Sequence, residues 1–145
     1  MSVRVIDTSF DPSLELSKFG VGVNGAGAVV TFSGIVRGDG GLTAMEIEHY
    51  PAMTEKALQE IRDQAVKRFE LTRALIIHRH GRLAPGETIM MVATAALHRR
   101  AAFDGADFLM DYLKSRAPFW KKELRPDGAT WVEAKSDDDD ALRRW

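Results

Sequence analysis

The chain contains no cysteine, which removes disulfides, thiolate nucleophiles, cysteine-ligated zinc and an enzyme-bound persulfide. Any sulfur chemistry must therefore use sulfur that a partner delivers. No apolar run approaches the roughly 20 residues needed to span a bilayer. Residues 1–16, MSVRVIDTSFDPSLEL, carry acids where a signal peptide needs an unbroken apolar stretch, so the expected location is cytoplasmic. An excess of positive charge is missing as well. The net charge of −1 argues against a dedicated nucleic-acid binder, whose footprint is a basic surplus.

Several chemical signatures are absent too. There is no GxSxG elbow, no P-loop and no dinucleotide fingerprint, and the segment after GVGVNGAG at 20–27 reads as a strand. That glycine run is a turn rather than a phosphate cradle. The histidines, His49, His78, His80 and His98, do not form an HExxH pair. His78 and His80 would share one face of a strand, but without a carboxylate partner they read as structural, and no metal site is expected. No cofactor is implied either.

What is present describes an ordinary globular chain. At 145 residues, with 45% hydrophobic and 28% charged residues, it is long enough for one domain, 1–145, with a real core. Ala28 to Arg37 is β-branched and apolar and reads as a buried strand. GDGG at 38–41 is a turn, and Leu42 to Tyr50 is the returning strand, with Met45 and Ile47 on one side and Glu46 and Glu48 on the other. Thr54 is an expected N-cap for a helix to about Phe69, burying Leu58, Ile61 and Ala65. Ala74 to Arg79 and Thr88 to Ala96 are strands around a Pro-Gly turn in LAPGE at 83–87. Trp131 to Lys135 reads as a short last strand, and SDDDD at 136–140 as a solvated acidic segment. The order β-β-α-β-β-α-β mixes hairpins with crossovers, so the fold class is α+β.

The most informative stretch is HRRAAFDGADFLMDYLKSRAPFWKKE, from His98 to Glu123. Ala102, Ala106, Leu109 and Leu113 give it one apolar helical face. Pro118 stops that helix, which places Lys114 in its last turn and Lys121 and Lys122 beyond the break. A chain turning back here could gather His98, Arg99, Lys114 and Lys121 around one anion. Cations also favour any helix C-terminus, so spacing alone leaves both readings open. Arg37, at a strand end entering a glycine-rich loop, is a further candidate.

Five segments in order, VVTFSGIVRGDGG, EIEHYPAMTEKAL, HRHGRLAPGE, ALHRRAAFDGADFLMDYLKSRAPFWKKE and WVEA, resemble the catalytic (large) subunit family of molybdopterin synthase. The likeness runs from about Gly25 to Trp145. It implies an α/β hammerhead fold with an additional antiparallel β-sheet. It also implies a homodimer carrying a small ubiquitin-like subunit at each end, in a 2:2 heterotetramer. The implied activity is sulfur transfer from that subunit's C-terminal thiocarboxylate to cyclic pyranopterin monophosphate, forming the dithiolene of molybdopterin in molybdenum cofactor biosynthesis. The absence of cysteine agrees with sulfur arriving on a partner.

By the same resemblance the substrate positions fall on Ile35, Val36, Arg37, His98, Arg99, Lys114, Lys121, Lys122 and Glu123, with Lys114 and Lys121 catalytic. Arg99, and His98 when protonated, suit phosphate oxygens. Lys114 and Lys121 suit anionic intermediates, and cations crowded together lower one another's pKa enough for acid–base work. Glu123 is expected either to orient a lysine or to pair with Lys122. Phe32 and Met110 resemble pocket-lining positions but read as core. Where some relatives are basic this chain has Ile35, which leaves only a backbone contact there, and Lys135 is left outside the site. Two other classes fit the residues less well. A non-enzymatic docking module for a ubiquitin-like protein would not need the lysine pair. A single-strand nucleic-acid binder using Phe119 and Trp120 would want more positive charge.

Overall fold

The computed structural model describes residues 3–20, 25–132 and 136–145. Two four-stranded sheets meet in it. The first has the order β1-β4-β6-β2, with β1 at Val3–Ile6, β2 at Ala28–Ile35, β4 at Arg73–Arg79 and β6 at Thr88–Ala96. Only β1 and β4 run parallel; the β4–β6 and β6–β2 pairs are antiparallel. The second is wholly antiparallel, ordered β5-β3-β7-β8, with β3 at Ala44–His49, β5 at Gly81–Leu83, β7 at Phe119–Arg125 and β8 at Gly128–Trp131. The helices are α1 (Pro12–Gly20), α2 (Pro51–Phe69), α3 (Arg99–Ser115) and α4 (Ser136–Leu142). The α+β class with an added antiparallel sheet is what this architecture shows.

Strands β4 and β6 are covered on both faces, which is why they read as unbroken apolar runs. The period of two splits their side chains cleanly. Ala74, Ile76, Met90, Val92 and Ala96 join the core under α2 and α3, where Leu58, Ile61, Ala65, Ala102 and Leu109 pack. Leu75, Ile77, Met91, Ala93 and Ala95 face the other way onto Phe19 of α1. Each fully buried Leu, Ile, Val or Met side chain among them contributes about 1.5–3 kcal/mol, and an alanine methyl less. A hydroxyl in this core needs a partner, and Thr94 Oγ1 donates to the Ala102 carbonyl at 2.7 Å, tying β6 to α3.

Several local readings need correction. Thr54 does not cap α2. Tyr50 occupies the cap position and Pro51 the first turn, where a missing N–H costs nothing. Thr54 is buried inside the helix, its hydroxyl reaching the Pro118 carbonyl at 3.5 Å. The acidic run after Lys135 is helical in α4, with Asp137, Asp138 and Asp139 in its first turn, where the helix dipole favours them. The last strand is Gly128–Trp131, and residues 133–135, Lys135 included, lie outside the described residues. So does half of the glycine run at 20–27, residues 21–24. Strands β1, β5 and β7 and helix α1 go beyond the sequence-based order.

The Pro85-Gly86 turn is as expected, with Gly86 at φ +89 and Glu87 N–H donating to the Ala84 carbonyl at 3.1 Å. Arg79, 5% exposed, reaches Glu87 at 2.9 Å, and the Glu87 carbonyl accepts from Val36 N–H at 3.0 Å. The turn thereby braces the end of β2. A close approach of a different kind occurs at Gly27. A Cβ there would sit 2.4 Å from the Leu97 carbonyl oxygen, a backbone atom that cannot swing aside. Gly27→Ala is therefore expected to cost about 1–3 kcal/mol and to lower the melting temperature by roughly 3–10 °C. A calorimetric scan of the variant against the parent chain checks it.

Candidate functional site

Helix α3 ends where the sequence ends it. Arg116 and Ala117 N–H groups both return to the Tyr112 carbonyl, at 2.8 and 3.2 Å, and Pro118 forbids another turn. Phe119 N–H then donates to the Ala117 carbonyl at 2.8 Å, and the chain reverses into β7. In β7 successive side chains alternate, so Phe119, Lys121 and Glu123 share one face and Trp120 and Lys122 the other. Register with β3 sets Lys121 opposite Ile47 and Glu123 opposite Met45. The inner face of β7 is thus brought against the last turn of α3, which carries Lys114.

Between them lies a cleft of about 550 Å³, lined by Ile35, Val36, Arg37, Lys114, Phe119, Lys121, Glu123 and Arg125 among others. Lys114 stands exposed at its rim, while Lys121 is part-buried. Burial first, and the neighbouring Lys114 charge second, lower the Lys121 pKa to about 8, with Asp138 pulling the other way. An ammonium whose hydration is stripped and whose neighbour repels it gives up its proton more readily. One lysine of the pair is therefore poised to exchange a proton near neutral pH. Its neighbour at the rim offers a second positive charge. Ser115 is the hydroxyl residue lining the cleft, and its Oγ is engaged, donating to the Asp138 carbonyl at 2.8 Å. Among the described residues no group of three His, Asp or Glu could hold a metal.

The expected site residues divide into two sets. Ile35, Val36, Arg37, Lys114, Lys121 and Glu123 come together in the cleft. The β2–β6 register slips between Gly34 and Ile35, and this irregularity re-aims the chain. Val36 turns into the core at 2% exposed, while Ile35 and Arg37 face the cleft and solvent. Arg37 makes one loose exposed contact, Nε to Asp39 at 3.4 Å. Glu123 orients neither lysine nor Lys122; it accepts from Arg125 at 3.0 Å.

Lys122 lies on the opposite face of β7, its ammonium 4.6 Å from the Trp131 ring, and does not line the cleft. His98 and Arg99 are also elsewhere. His98 is the cap residue and Arg99 the first residue of α3. At 1.5 Å per residue that is about 22 Å along the axis from Lys114. Within one chain these cations do not surround one ligand. Phe32, read as core, is 43% exposed, whereas Met110 does pack against the core.

Sequence reasoning passed over Arg125 and Asp138, both of which line the cleft. The alternation in FWKKELR was the available signal for Arg125, since it places Phe119, Lys121, Glu123 and Arg125 on one face. For Asp138 the signal was weaker, an acidic run that reads as solvated until α4 is seen to pack beside Ser115. A smaller cleft of about 360 Å³ among α2, α3 and α4 is lined by Arg68, Tyr112 and Trp145 among others. It brings together no comparable pair of cations.

Comparison with known proteins places this geometry. The family model described as MoaE protein matches residues 6–116. The molybdopterin synthase catalytic subunit of Cereibacter sphaeroides is 59% identical over 146 residues, covering all of both chains. The solved structure of a molybdopterin biosynthesis MoaE protein from Burkholderia ambifaria is 48% identical. It superposes with a TM-score of 0.85, over 99% of this chain and 97% of its own. The crystal structure of molybdopterin synthase from Staphylococcus aureus is 28% identical, with a TM-score of 0.80 over 89% and 95% of the two chains.

Proposed function

The chain belongs to the MoaE protein family, and from that we propose that it is the sulfur-inserting subunit of a molybdopterin synthase. Its substrate is cyclic pyranopterin monophosphate, and its sulfur donor is the C-terminal thiocarboxylate of a small ubiquitin-like carrier. The observation that carries this reading is the convergence of Lys114 and Lys121 on one cleft, with Lys121 holding its proton weakly. No helix of the described residues is long and apolar enough to cross a membrane; a cytoplasmic location is part of the proposal.

The chemistry follows from the residues. The thiocarboxylate sulfur bonds to an oxygen-bearing side-chain carbon of the pterin. That carbon's C–O bond breaks and the oxygen leaves with the electron pair and takes up a proton, giving a thioester between carrier and substrate. Water then adds to the acyl carbon and the acyl C–S bond breaks. The sulfur stays on the pterin as thiolate and the carrier departs as carboxylate. Neutral Lys121 takes the proton from the attacking water. The Lys114 cation offsets the oxyanion that forms on the acyl carbon, an effect worth roughly 3–4 kcal/mol in comparable sites. Two such rounds make the dithiolene. Arg37, exposed at the cleft and only loosely held by Asp39, is free to turn to the phosphate.

His98 and Arg99 join this scheme through a second copy of the chain. Around the start of α3 and along the free edge of β2, Val29, Phe32, Ile35, Leu97 and Phe103 are all at least 43% exposed. A symmetric pair using this apolar face brings the α3 N-terminus of one protomer toward the cleft of the other. The assembly is then a homodimer with one carrier at each end. Incubating the chain with thiocarboxylated carrier and pyranopterin precursor, and assaying dithiolene, tests the function. Product is expected; a complex that forms without product leaves a docking module instead.

A further inference from the structure

A buried histidine stands directly behind the lysine cleft. His78, near the end of β4, is 2% exposed on the sheet face that also carries Ala74 and Ile76. A polar ring in that apolar run is tolerated only with a partner. Its Nδ1 lies 2.8 Å from the Arg79 carbonyl oxygen. A carbonyl can only accept, so Nδ1 carries the proton and Nε2 is bare. The ring lies flat on Phe119, with centroids 3.8 Å apart and planes 13° from parallel. Phe119 in turn lines the cleft and precedes Lys121 on the inner face of β7. Burial, reinforced by the charges of Lys121, Lys114 and His49, pushes the His78 pKa down to about 3, against the pull of its bond to Arg79. The ring is neutral at any working pH.

We propose that His78 is a positioning residue for Lys121: stacked on Phe119, it holds in place the dry wall of the cleft and the start of the strand that carries the lysine. This rests on the reading of Lys121 as the proton-transfer group. The weak hold of Lys121 on its proton comes chiefly from burial, so the wall beside it must stay closed to water. Phe119 is supported on one side by His78 at 3.8 Å and flanked by the His49 ring at 6.0 Å. Removing the His78 ring leaves a space into which Phe119 tips or water enters. Either event rehydrates the ammonium and tightens its proton. The other charged groups around Lys121 are Lys114 of α3, Asp138 of α4, Glu123 and Arg125 of β7, and Arg37 and Asp39 beyond β2, with Ile47 its partner on β3. All of them remain unchanged, so a shift reports the wall.

The test compares His78→Ala and His78→Phe with the parent chain. Two readouts are taken: the pH dependence of Lys121 acetylation by acetic anhydride, followed by peptide mass spectrometry, and the pH–rate profile of dithiolene formation. In His78→Ala the labelling midpoint is expected to rise from about 8 by about one unit. Its turnover near neutral pH falls about tenfold, with little change in KM for the precursor. His78→Phe keeps the stack, and so keeps the midpoint and most of the rate. An unchanged midpoint and rate in His78→Ala overturns the proposal, and so does a His78→Phe variant as damaged as the alanine one. Should the alanine variant not fold by circular dichroism, His78→Val takes its place, a side chain that suits a strand but falls short of the ring's volume and leaves a gap beside Phe119, with a smaller shift in the same direction. A parent chain that forms no dithiolene would overturn the proposed function, while the labelling midpoint would still decide the wall.

Discussion

Replacing Lys114 by alanine is expected to cut dithiolene formation by about 10²–10³-fold, the equivalent of the roughly 3–4 kcal/mol that one positioned charge contributes to an oxyanion. The fold should survive, because the side chain is exposed at the end of α3 and supports no buried contact. The two lysines differ in what arginine can replace. At position 114 the need is a fixed positive charge, so Lys114→Arg should recover part of the lost rate. At position 121 the need is a group that can lose its proton. A guanidinium cannot do so, and Lys121→Arg should stay near the level of Lys121→Ala. Lys114→Ala also removes a charge that depresses the Lys121 pKa. The residual activity should therefore reach its half-maximum at higher pH than in the parent chain. Single-turnover assays with thiocarboxylated carrier across pH 6–10 read both effects. Near-normal turnover in Lys114→Ala would remove the electrostatic role, and full activity in Lys121→Arg would remove the proton transfer.

The parts of this site visible in the sequence were those written as period. The apolar face Ala102, Ala106 and Leu109 and the stop at Pro118 define α3, and with it the place of Lys114. Strands β2, β4 and β6 were legible because β-branched and apolar residues fill them, but β2, read as buried, is an edge strand with no buried residue. β7 was not legible, since FWKKELR alternates aromatic and charged residues on both faces and buries neither fully. α1 escaped for a related reason. It is short, and Glu15 inside it is buried only because Arg4 of β1 meets it, a contact no local pattern announces. The convergence of Lys121 on Lys114 needed only a reversal after Pro118 and was foreseeable. The separation of His98 and Arg99 was foreseeable too, since a helix over these residues places its ends more than 20 Å apart by its rise. Missing from the sequence reading was the strand itself: once β7 is in place, its alternation turns Trp120 and Lys122 away from Lys121.

Mixing two inactive chains is expected to restore activity. If each site takes Lys114 and Lys121 from one protomer and His98 and Arg99 from its partner, then Lys114→Ala and Arg99→Ala homodimers are each impaired at both sites. In a mixed dimer both lesions fall in one site, and the other is intact. Random exchange makes half the dimers mixed, so recovery should approach about a quarter of the parent activity, as two-fold symmetry requires. The alternative, a site confined to one chain, predicts no recovery, because every site would then carry one lesion or the other. The helix geometry makes the two outcomes distinct: about 22 Å of α3 separate the residues, more than an arginine side chain can bridge. Arg99 is exposed at the helix start with no ion pair among the described residues to hold it back. Its guanidinium is thus available to grip a phosphate bidentately. Assays after co-refolding or subunit exchange, with each variant alone as the baseline, read the result. Absence of recovery in verified mixed dimers would confine the working site to Arg37, Lys114, Lys121 and their neighbours in one cleft.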